Sequence, residues 1–519
     1  MKKLIAVLLC LSMMLTVSCR RGNSGADDED RYLLELATWN PEAAQAVNDF
    51  LEKYGKGSEK YDKTAYAVFD FDETVVMGPV QDQVSVYQVR HLMFAEDMGP
   101  DKLAEALSEG LEDVGKSAGT AHSKKNATYG GWIADITTAY GKLQEKYGPF
   151  GPAGVEEDVL SKLKKDGTYE VFVAKMLALR QLVRENEPED VSHRWPLFWF
   201  AGMTEDEAYA VARKALHQNR DTETEKAVYA SDDKASNAGK ASVTVTLGAS
   251  VPDNVIELLH ALSANGIKVW IVSSESPLTA EAALDEWEAA DDVAGVLGVG
   301  LKEEDGVYAA EYDEGGISIG TPKDGKWEKR DAPVSAVPCA EGKVLVINDV
   351  LVKEYGHGPV IGATAAQDGF NFCTEFSSMK LCLVFNRADS DVTDGAGLLA
   401  EICCYQADAL GYDLEKAEEA GDTLYVLQGR DENGLRSFLD GRYTVKAGSS
   451  DEVLYKEPEA GAVDDNQAQY DYMEKNKMTT AEAVNNFAYR MSGSSQENVL
   501  GFPYGFFEED EFQGYHTNE

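Results

Sequence analysis

Basic residues are scarce in this sequence. It has 48 lysines and arginines against 91 aspartates and glutamates, which gives a formal net charge of −43. So large a negative charge repels nucleic acid and anionic membrane surfaces, and we expect no nucleic-acid partner. It also repels anionic substrates. A phosphate site in this chain would therefore need local positive charge, most simply a metal ion.

The sequence also lacks an internal repeat, a CxxC pair and, beyond its first residues, any apolar run long enough to cross a membrane. Without clustered cysteine and histidine a zinc site is not expected. The cysteines outside the amino-terminal segment are Cys339, Cys373, Cys382, Cys403 and Cys404. In an exported protein these five can form one or two disulfides, which leaves at least one thiol free.

The first residues have the pattern of an export signal. Two lysines precede a mostly apolar segment over 4–17, which is too short to span a bilayer as a mature helix. It ends in LTVSC, which resembles a bacterial lipoprotein signal that is cleaved before Cys19 and lipidated on its sulfur. A plain secretory signal is the alternative, because Thr16 stands where an aliphatic residue is usual. The sequence thus predicts a signal peptide over 1–18, a polar tether over 19–31, and a lipid-anchored location in the bacterial cell envelope.

The remaining chain separates into blocks of different pattern. The full length of 519 residues allows two or three domains, and 44% hydrophobic residues can form a sizeable core. Strand-like and helical segments alternate in 32–78 and in 246–455, which predicts an α/β fold around a parallel sheet. Between them, 79–245 is helical in pattern and predicts an inserted cap. The last block, 456–519, is acidic and weakly patterned, and we expect an irregular extension there.

Two aspartates end an apolar run in YAVFDFDET, residues 66–74. Ligands of parallel sheets bind beyond the carboxyl ends of the strands. At such an end Asp70 can attack phosphorus, and Asp72 can protonate the leaving oxygen and then activate water. Thr74 can bond the phosphate or brace the loop. The alternative interpretation is that the two aspartates only cap a strand and a turn.

Three segments carry a resemblance to the haloacid dehalogenase superfamily of phosphatases. DFDET resembles motif I, VWIVS ends at Ser273 and resembles motif II, and GKVLVI contains Lys343 and resembles motif III. Taken alone, Ser273 could be a loop serine and Lys343 a surface lysine. Their order, with a helical insertion after motif I, matches members of the superfamily that carry a cap at this point. The resemblance implies a Rossmann-like parallel sheet core with a helical cap.

Further segments narrow the resemblance to bacterial phosphorylcholine phosphatase-like exported hydrolases. These segments, VYQVRHLMF, FAGMTEDEAYAVARKAL, GVGLKEEDGVY and LQGRDENG, extend the similarity over about residues 35–440. It implies a small phosphomonoester as substrate, with phosphocholine among the candidates. The stretch HRWPLFWF over 193–200 offers aromatic faces to a quaternary ammonium, and core packing of the cap is the alternative that we favour.

The resemblance also implies a role for each site residue. Asp70 would form an aspartyl-phosphate, and Asp72 would be the acid and base. The phosphate would be bound by Thr74, Ser273 and Lys343, and Mg²⁺ would be surrounded by Asp70, Asp72 and Asp368.

The sequence departs from the family at motif IV. The family pattern is G-D-S-x-x-D, whose first aspartate binds Mg²⁺ directly, and here the matching stretch is GATAAQD. Thr364 replaces the liganding aspartate, and Asp368 keeps the second acid. Asp349 could be offered as the missing acid, but its segment is better interpreted as the helix after Lys343. Two hypotheses remain, an active phosphatase and a catalytically impaired surface lipoprotein that binds a small ligand or partner.

The amino-terminal pattern gives the first prediction. In Cys19→Ala the protein should move from the membrane fraction to the soluble fraction, because the lipid-bearing sulfur is lost. Fractionation of cells that express each form measures this directly. A wild-type protein that is already soluble and begins at another residue would rule out the anchor.

Overall fold

The computed structural model describes residues 31–453, apart from 79, 221, 223–224, 335, 389–394 and 434–436. The predicted signal peptide, Cys19 and the extension over 456–519 lie outside the described residues. Within them, no helix combines the length and the apolar character that a membrane span requires.

The described strands form an eight-stranded sheet and two small two-stranded sheets. In chain order they are β1 (Tyr66–Phe69), β2 (Glu225–Ser231), β3 (Ala241–Leu247), β4 (Lys268–Val272), β5 (Gly295–Glu304), β6 (Val307–Lys323), β7 (Lys326–Ala332), β8 (Ile361–Thr364), β9 (Leu381–Phe385), β10 (Leu424–Gln428), β11 (Thr444–Val445) and β12 (Glu452–Val453). The large sheet has the order β10-β9-β8-β1-β4-β5-β6-β7. Strands β10 to β5 are parallel, and β6 and β7 add an antiparallel edge. The predicted α/β fold with a mostly parallel sheet is confirmed.

The described helices flank this sheet and form the block between β1 and β4. They are α1 (Pro41–Tyr54), α2 (Val80–His91), α3 (Pro100–Ser108), α4 (Tyr129–Tyr147), α5 (Glu157–Leu163), α6 (Gly167–Asn186), α7 (Glu189–Ser192), α8 (Glu205–Asn219), α9 (Asp253–Ala264), α10 (Pro277–Glu286), α11 (Glu341–Val346), α12 (Lys353–Tyr355), α13 (Phe370–Glu375), α14 (Gly395–Leu410) and α15 (Leu414–Ala420). A π-helical turn over Ile347–Val352 joins α11 to α12, so the segment after Lys343 is helical, as predicted.

Strand β1 lies in the middle of the sheet and is buried along its whole length. Its neighbours β4 and β8 pair with it through Tyr66↔Lys268 and Ala67↔Ile361. A parallel strand covered on both faces favours a continuous apolar run over an alternating one, and Tyr66–Phe69 has that pattern. The chain therefore places Asp70 directly at the carboxyl edge of the sheet centre.

The inserted block is not entirely helical, because β2 and β3 form an antiparallel hairpin within it. The sequence analysis did not predict this hairpin. A buried lysine of α6 links the loop between β2 and β3 to the helices. The Lys175 Nζ lies 2.6 Å from an oxygen of Asp135 in α4 and 2.6 Å from one of Asp233 in that loop. Lys175 has no exposed surface. An ammonium buried in this way needs such partners, since an unpaired buried charge is strongly destabilising.

The hairpin predicted at Asp305-Gly306 is present between β5 and β6. Both turn residues have positive φ angles, 53° for Asp305 and 83° for Gly306. Such angles are typical of the tight turns that match the twist of antiparallel strands. Elsewhere, Cys373, Cys382 and Cys403 are buried free thiols.

Helix α13 follows the loop that contains Asp368 and ends at Glu375. An oxygen of Glu375 accepts a hydrogen bond from the Asn371 side-chain amide at 3.1 Å. Burial, and then the charge of Glu341, raise the pKa of Glu375 from 4.5 to about 8. The folded chain thus favours the neutral acid.

This raised pKa predicts a pH-dependent loss of stability. The contribution of Glu375 is complete below the ordinary pKa of 4.5 and is lost as pH rises towards about 8, because the folded protein must then bury a charge. Glu375→Gln imitates the neutral acid and should be more stable than the wild type at about pH 9 but not at about pH 5. Urea unfolding of both proteins across this range measures the difference. If the free energies of unfolding of the two proteins differed by the same amount at every pH, the prediction would be contradicted.

Candidate functional site

The carboxyl edge of the sheet brings together residues from three neighbouring strands. Asp70 follows β1, and its N–H donates to the Ala363 carbonyl of β8 at 3.0 Å. Ser273 follows β4, and its N–H donates to the Leu297 carbonyl of β5 at 2.9 Å. Thr364 ends β8. The parallel pairing alone thus places Asp70, Ser273 and Thr364 at one edge.

Lys343 lies between two carboxylates at this edge. Its Nζ is 2.6 Å from Asp70 Oδ1 and 2.9 Å from Asp368 Oδ2, and the lysine has no exposed surface. Helix α11 carries it in its first turn. The preceding residue, Gly342, approaches the backbone closely, since a Cβ there would lie 1.7 Å from the Val337 carbonyl oxygen. The structure therefore places Lys343 inside the site and not on the surface.

The charges of this cluster depend on one another. Burial and the charge of Asp368 raise the pKa of Asp70 to about 7, against the opposing effect of Lys343. Burial also raises the pKa of Asp368, but Lys343 outweighs it and holds that pKa below its usual value. For Lys343 itself, burial lowers the pKa, and the two acids together raise it above its ordinary value. Two carboxylates thus share one ammonium. Of the two acids, Asp70 is the one whose pKa is raised.

Asp72 and Thr74 lie on the loop that follows Asp70. Asp72 Oδ1 accepts from the Val80 N–H at 3.1 Å, and burial is the main cause that raises the pKa of Asp72 to about 7. Thr74 Oγ1 accepts from the Ala365 N–H at 2.8 Å. Thr74 therefore braces the loop against the segment after β8, which is one of the two roles suggested for it by the sequence.

A cavity of about 160 Å³ opens over the cluster. The sheet core contributes Asp70, Asp72, Ser273, Glu275 and Asp368 to its lining, and the inserted block contributes Asp82, Arg180, Arg184, Ser192 and His193. Ser273 Oγ accepts from the Glu275 N–H at 3.1 Å, so the hydroxyl proton is left to donate into the cavity. Residues of the inserted block thus cover the carboxyl edge of the sheet, and the cavity lies between block and core.

Several cavity residues were not predicted from the sequence. Arg184 Nη1 and Arg180 Nη2 lie 2.9 Å and 3.3 Å from the carboxylate of Asp82. The two arginines are four residues apart on a helix, a spacing that puts side chains on one face and could have signalled a shared partner. Glu275 is 4% exposed, and its Oε2 has no hydrogen-bond partner. Because Glu275 lies only two residues after Ser273, the sequence could have indicated that it is close to the site.

The aromatic stretch packs into the core. Trp195–Phe200 form a 3₁₀-helix whose six residues are all buried. Core packing, the interpretation favoured from the sequence, fits this arrangement. Ahead of these rings, His193 reaches the cavity, and its Nδ1 is 3.3 Å from Ser274 Oγ. The rings themselves are not among the cavity lining.

Thr364 is engaged in hydrogen bonds within its own loop. Its Oγ1 accepts from the Ala366 N–H at 3.1 Å and lies 3.4 Å from Asp70 Oδ2 as a donor. Gly369 packs directly against it, since a Cβ at 369 would lie 2.0 Å from the same oxygen. Asp349, the other acid considered for motif IV, pairs with Lys353 in an ion pair whose side chains are both exposed. Where the resemblance implies a liganding aspartate, the chain therefore has a residue that secures its own loop.

The remaining acids do not fit the predicted Mg²⁺ site. Mg²⁺ requires near-octahedral oxygen ligands, whereas Asp70 and Asp368 both pair with Lys343, and Asp72 accepts from a backbone N–H. Across the described part of the chain, no group of three or more histidines, cysteines, aspartates and glutamates is arranged to hold a metal. The predicted ligand set of Asp70, Asp72 and Asp368 thus does not form a metal site of that kind.

Fold and site together define an α/β protein with a buried acid–lysine–acid cluster at the carboxyl edge of a mostly parallel sheet. Among solved structures, the chain is similar to a conserved functionally unknown protein from Anaerococcus prevotii DSM 20548. The two share 25% identity and a TM-score of 0.61, over 81% of this chain and 100% of that one. This similarity supports a common fold.

A second structure, cytosolic 5′-nucleotidase IIIB bound to cytidine, covers 67% of this chain and 79% of its own at 12% identity. Its TM-score of 0.28 is too low to support an argument about this chain. No family model matches the sequence, and no curated protein matches it.

The role of Thr364 leads to a prediction about metal binding. Thr364→Asp introduces a carboxylate next to Asp70, so it should bind Mg²⁺ at least about tenfold more tightly than the wild type, as a harder anionic ligand does. Isothermal titration calorimetry measures both affinities. Thr364→Asn is the matched control, because it supplies an oxygen of similar reach without the charge. Tight Mg²⁺ binding by the wild type would show that Asp70, Asp72 and Asp368 hold the ion after all.

Proposed function

We propose that the protein is a hydrolase of small phosphate monoesters of the haloacid dehalogenase type, with Asp70 as its nucleophile. The observation that carries this proposal is the Asp70 carboxylate at the end of the central strand, 2.6 Å from the buried Lys343 ammonium, at the base of the cavity. The order of the three motifs in the sequence supports it independently.

In the first step an oxygen of Asp70 attacks phosphorus, and the bond from phosphorus to the ester oxygen breaks. Asp72 gives its proton to the departing oxygen, which leaves as an alcohol, and Asp70 carries the phosphoryl group. In the second step Asp72 takes a proton from water, and the water oxygen bonds to phosphorus while the Asp70–phosphorus bond breaks. A pKa of about 7 for Asp72 suits both halves of this cycle, because either protonation state is accessible near neutral pH.

Positive charge and hydrogen-bond donors for the phosphate are available from the chain itself. The Lys343 ammonium offsets the charge that collects on Asp70 and the phosphoryl oxygens, and the Ser273 hydroxyl can donate to one of them. The haloacid dehalogenase resemblance implies Mg²⁺, but the donor set does not fit that ion. We therefore assign no step to a metal.

The size of the cavity indicates a small substrate. Its volume of about 160 Å³ is below the roughly 300–1,000 Å³ of sites for drug-sized ligands. A phosphoryl group with a short alcohol fits such a space. Phosphocholine remains a candidate for its size, although the aromatic rings of 195–200 do not support a cage for its ammonium. The proposed location, on the exported side of the cell envelope, rests on the amino-terminal sequence.

One observation favours the alternative, a catalytically impaired lipoprotein that binds a small ligand or partner. Burial raises the pKa of Asp70 to about 7, so near neutral pH a substantial fraction of the nucleophile is protonated. A protonated carboxyl cannot attack phosphorus. Lys343 lowers the pKa of Asp70 but does not cancel the effect of burial, so turnover would depend on the fraction of Asp70 that is ionised.

A phosphatase assay with a panel of small phosphomonoesters tests the proposal. The wild type should release inorganic phosphate, and Asp70→Asn should reduce turnover by a factor on the order of 10⁴ or more, because an amide cannot form the covalent intermediate. Asp349→Asn is the control, since it removes an exposed acid that does not line the cavity and should leave turnover unchanged. If the wild type is inert towards the whole panel, with and without Mg²⁺, the binding-protein alternative is preferred.

A further inference from the structure

The loop between the two aspartates contains a strained residue. Glu73, between Asp72 and Thr74, has a φ angle of +61°. Side chains with a Cβ rarely adopt this left-handed conformation, because the Cβ approaches the following carbonyl oxygen too closely. Such strain persists only where surrounding contacts impose it, and it is frequent at functional sites.

The contact that imposes this conformation comes from the edge of the sheet. Arg430 Nη1 donates to the Glu73 carbonyl oxygen at 2.6 Å, and Nη2 donates to Glu73 Oε2 at 3.0 Å. Nη2 also lies 3.1 Å from Glu432 Oε1. Arg430 follows β10, which is separated from β1 by β9 and β8. The guanidinium thus binds the backbone and the side chain of the one strained residue in the loop of the nucleophile.

Arg430 is itself held firmly. It is 1% exposed, its N–H donates to Thr444 Oγ1 at 3.1 Å, and its carbonyl accepts from the Val445 N–H at 2.9 Å. A guanidinium presents its N–H groups in a rigid planar fork, so a fixed arginine fixes whatever the fork binds. The position of the Glu73 carbonyl is therefore set by the segment after β10.

The other anchors of the loop lie on either side of Glu73. The Phe71 carbonyl accepts from the N–H groups of Thr74, Val75 and Val76, at 3.2, 2.9 and 3.2 Å. On the side chains, Thr74 is bonded to Ala365 and Asp72 to Val80. If the peptide after Glu73 rotated to relieve the strain, both neighbouring residues would change direction. Asp72 and Thr74 would then lose the positions described above.

We propose that Arg430 is a positioning residue that holds Glu73 in its left-handed conformation and thereby orients Asp70 and Asp72 for phosphoryl transfer. The catalytic part of this inference rests on the proposed function, whereas the conformational part does not. The competing explanation is that Arg430 only fills the core beside two glutamates. The two differ in one respect, because only the positioning role depends on the Cβ of residue 73.

The experiment compares Arg430→Met in two backgrounds, Glu73→Ala and Glu73→Gly. Both backgrounds lose the Glu73 carboxylate equally, but alanine keeps the steric penalty of a positive φ and glycine does not. Two quantities are measured in each protein, amide hydrogen exchange over 71–77 and, with a substrate from the panel, kcat and KM.

With Glu73→Ala, Arg430→Met should accelerate exchange over 71–77 and lower kcat about tenfold or more with little change in KM, as small misplacement of reacting groups does. With Glu73→Gly, the same substitution should lower kcat by about threefold or less, since the strain has gone. Equal losses in the two backgrounds, or no change in exchange in either, would overturn the positioning role.

Two controls keep the outcome decisive. If Arg430→Met prevents folding, Arg430→Lys replaces it, because lysine keeps the charge but lacks the fork that binds carbonyl and carboxylate together. If the wild type hydrolyses nothing, the proposed function fails. The exchange rates over 71–77 with and without Arg430 then still test whether Arg430 holds the loop. An active wild type whose kcat is unaffected by Arg430→Met in every background would reject the inference and leave the proposed function standing.

Discussion

The burial of the Lys343 ammonium between Asp70 and Asp368 is the interaction on which the rest of the site depends. Removing three charges from water is expensive, and only close pairing compensates for it. The three residues come from separate parts of the chain, the end of β1, the first turn of α11 and the loop after β8. If any of them moved away, an unpaired charge would remain in the core. The cluster therefore fixes the relative positions of three segments that are separate in the sequence.

The parallel sheet makes that cluster possible at its carboxyl edge. Strands β4, β1 and β8 lie side by side and end together, so Ser273, Asp70 and Thr364 meet without long loops. Thr364 contributes to this edge in two ways. Its hydroxyl secures its own loop and reaches Asp70, where the family resemblance implies a carboxylate for a metal. In the part of the chain that the structure describes, the cation in contact with Asp70 is the Lys343 ammonium.

Much of this arrangement could be predicted from sequence because it depends on local pattern. An apolar run closed by Asp70, a second closed by Ser273, and a glycine followed by Lys343 are visible as short segments, and parallel strands bring their ends together. The contacts that were missed join positions far apart in sequence. Arg430 binds Glu73 from 357 residues away, and its own segment shows only a strand and a turn. Hydrophobic periodicity identifies which face of an element is buried, not which distant side chain it meets.

The described residues give the Mg²⁺ prediction no support, for a related reason. Residue types identified the acids of the site, but the cation that neutralises them depends on geometry. The structure assigns Asp70 and Asp368 to a lysine that the sequence alone could equally place on the surface.

The strong negative charge of the chain and a site for a phosphate dianion are compatible if the acids of the cavity are not all ionised. Burial raises the pKa values of Asp70 and Asp72 to about 7, and that of Glu275 well above its usual range. Arg180 and Arg184 of the inserted block share the single carboxylate of Asp82, so this group keeps one net positive charge. A phosphate entering this cavity would meet the buried Lys343 ammonium and three arginines among the lining residues, beside acids that can be neutral near pH 7. The desolvation that makes the cluster energetically costly thus also lowers the repulsion that a phosphate in this cavity would otherwise face.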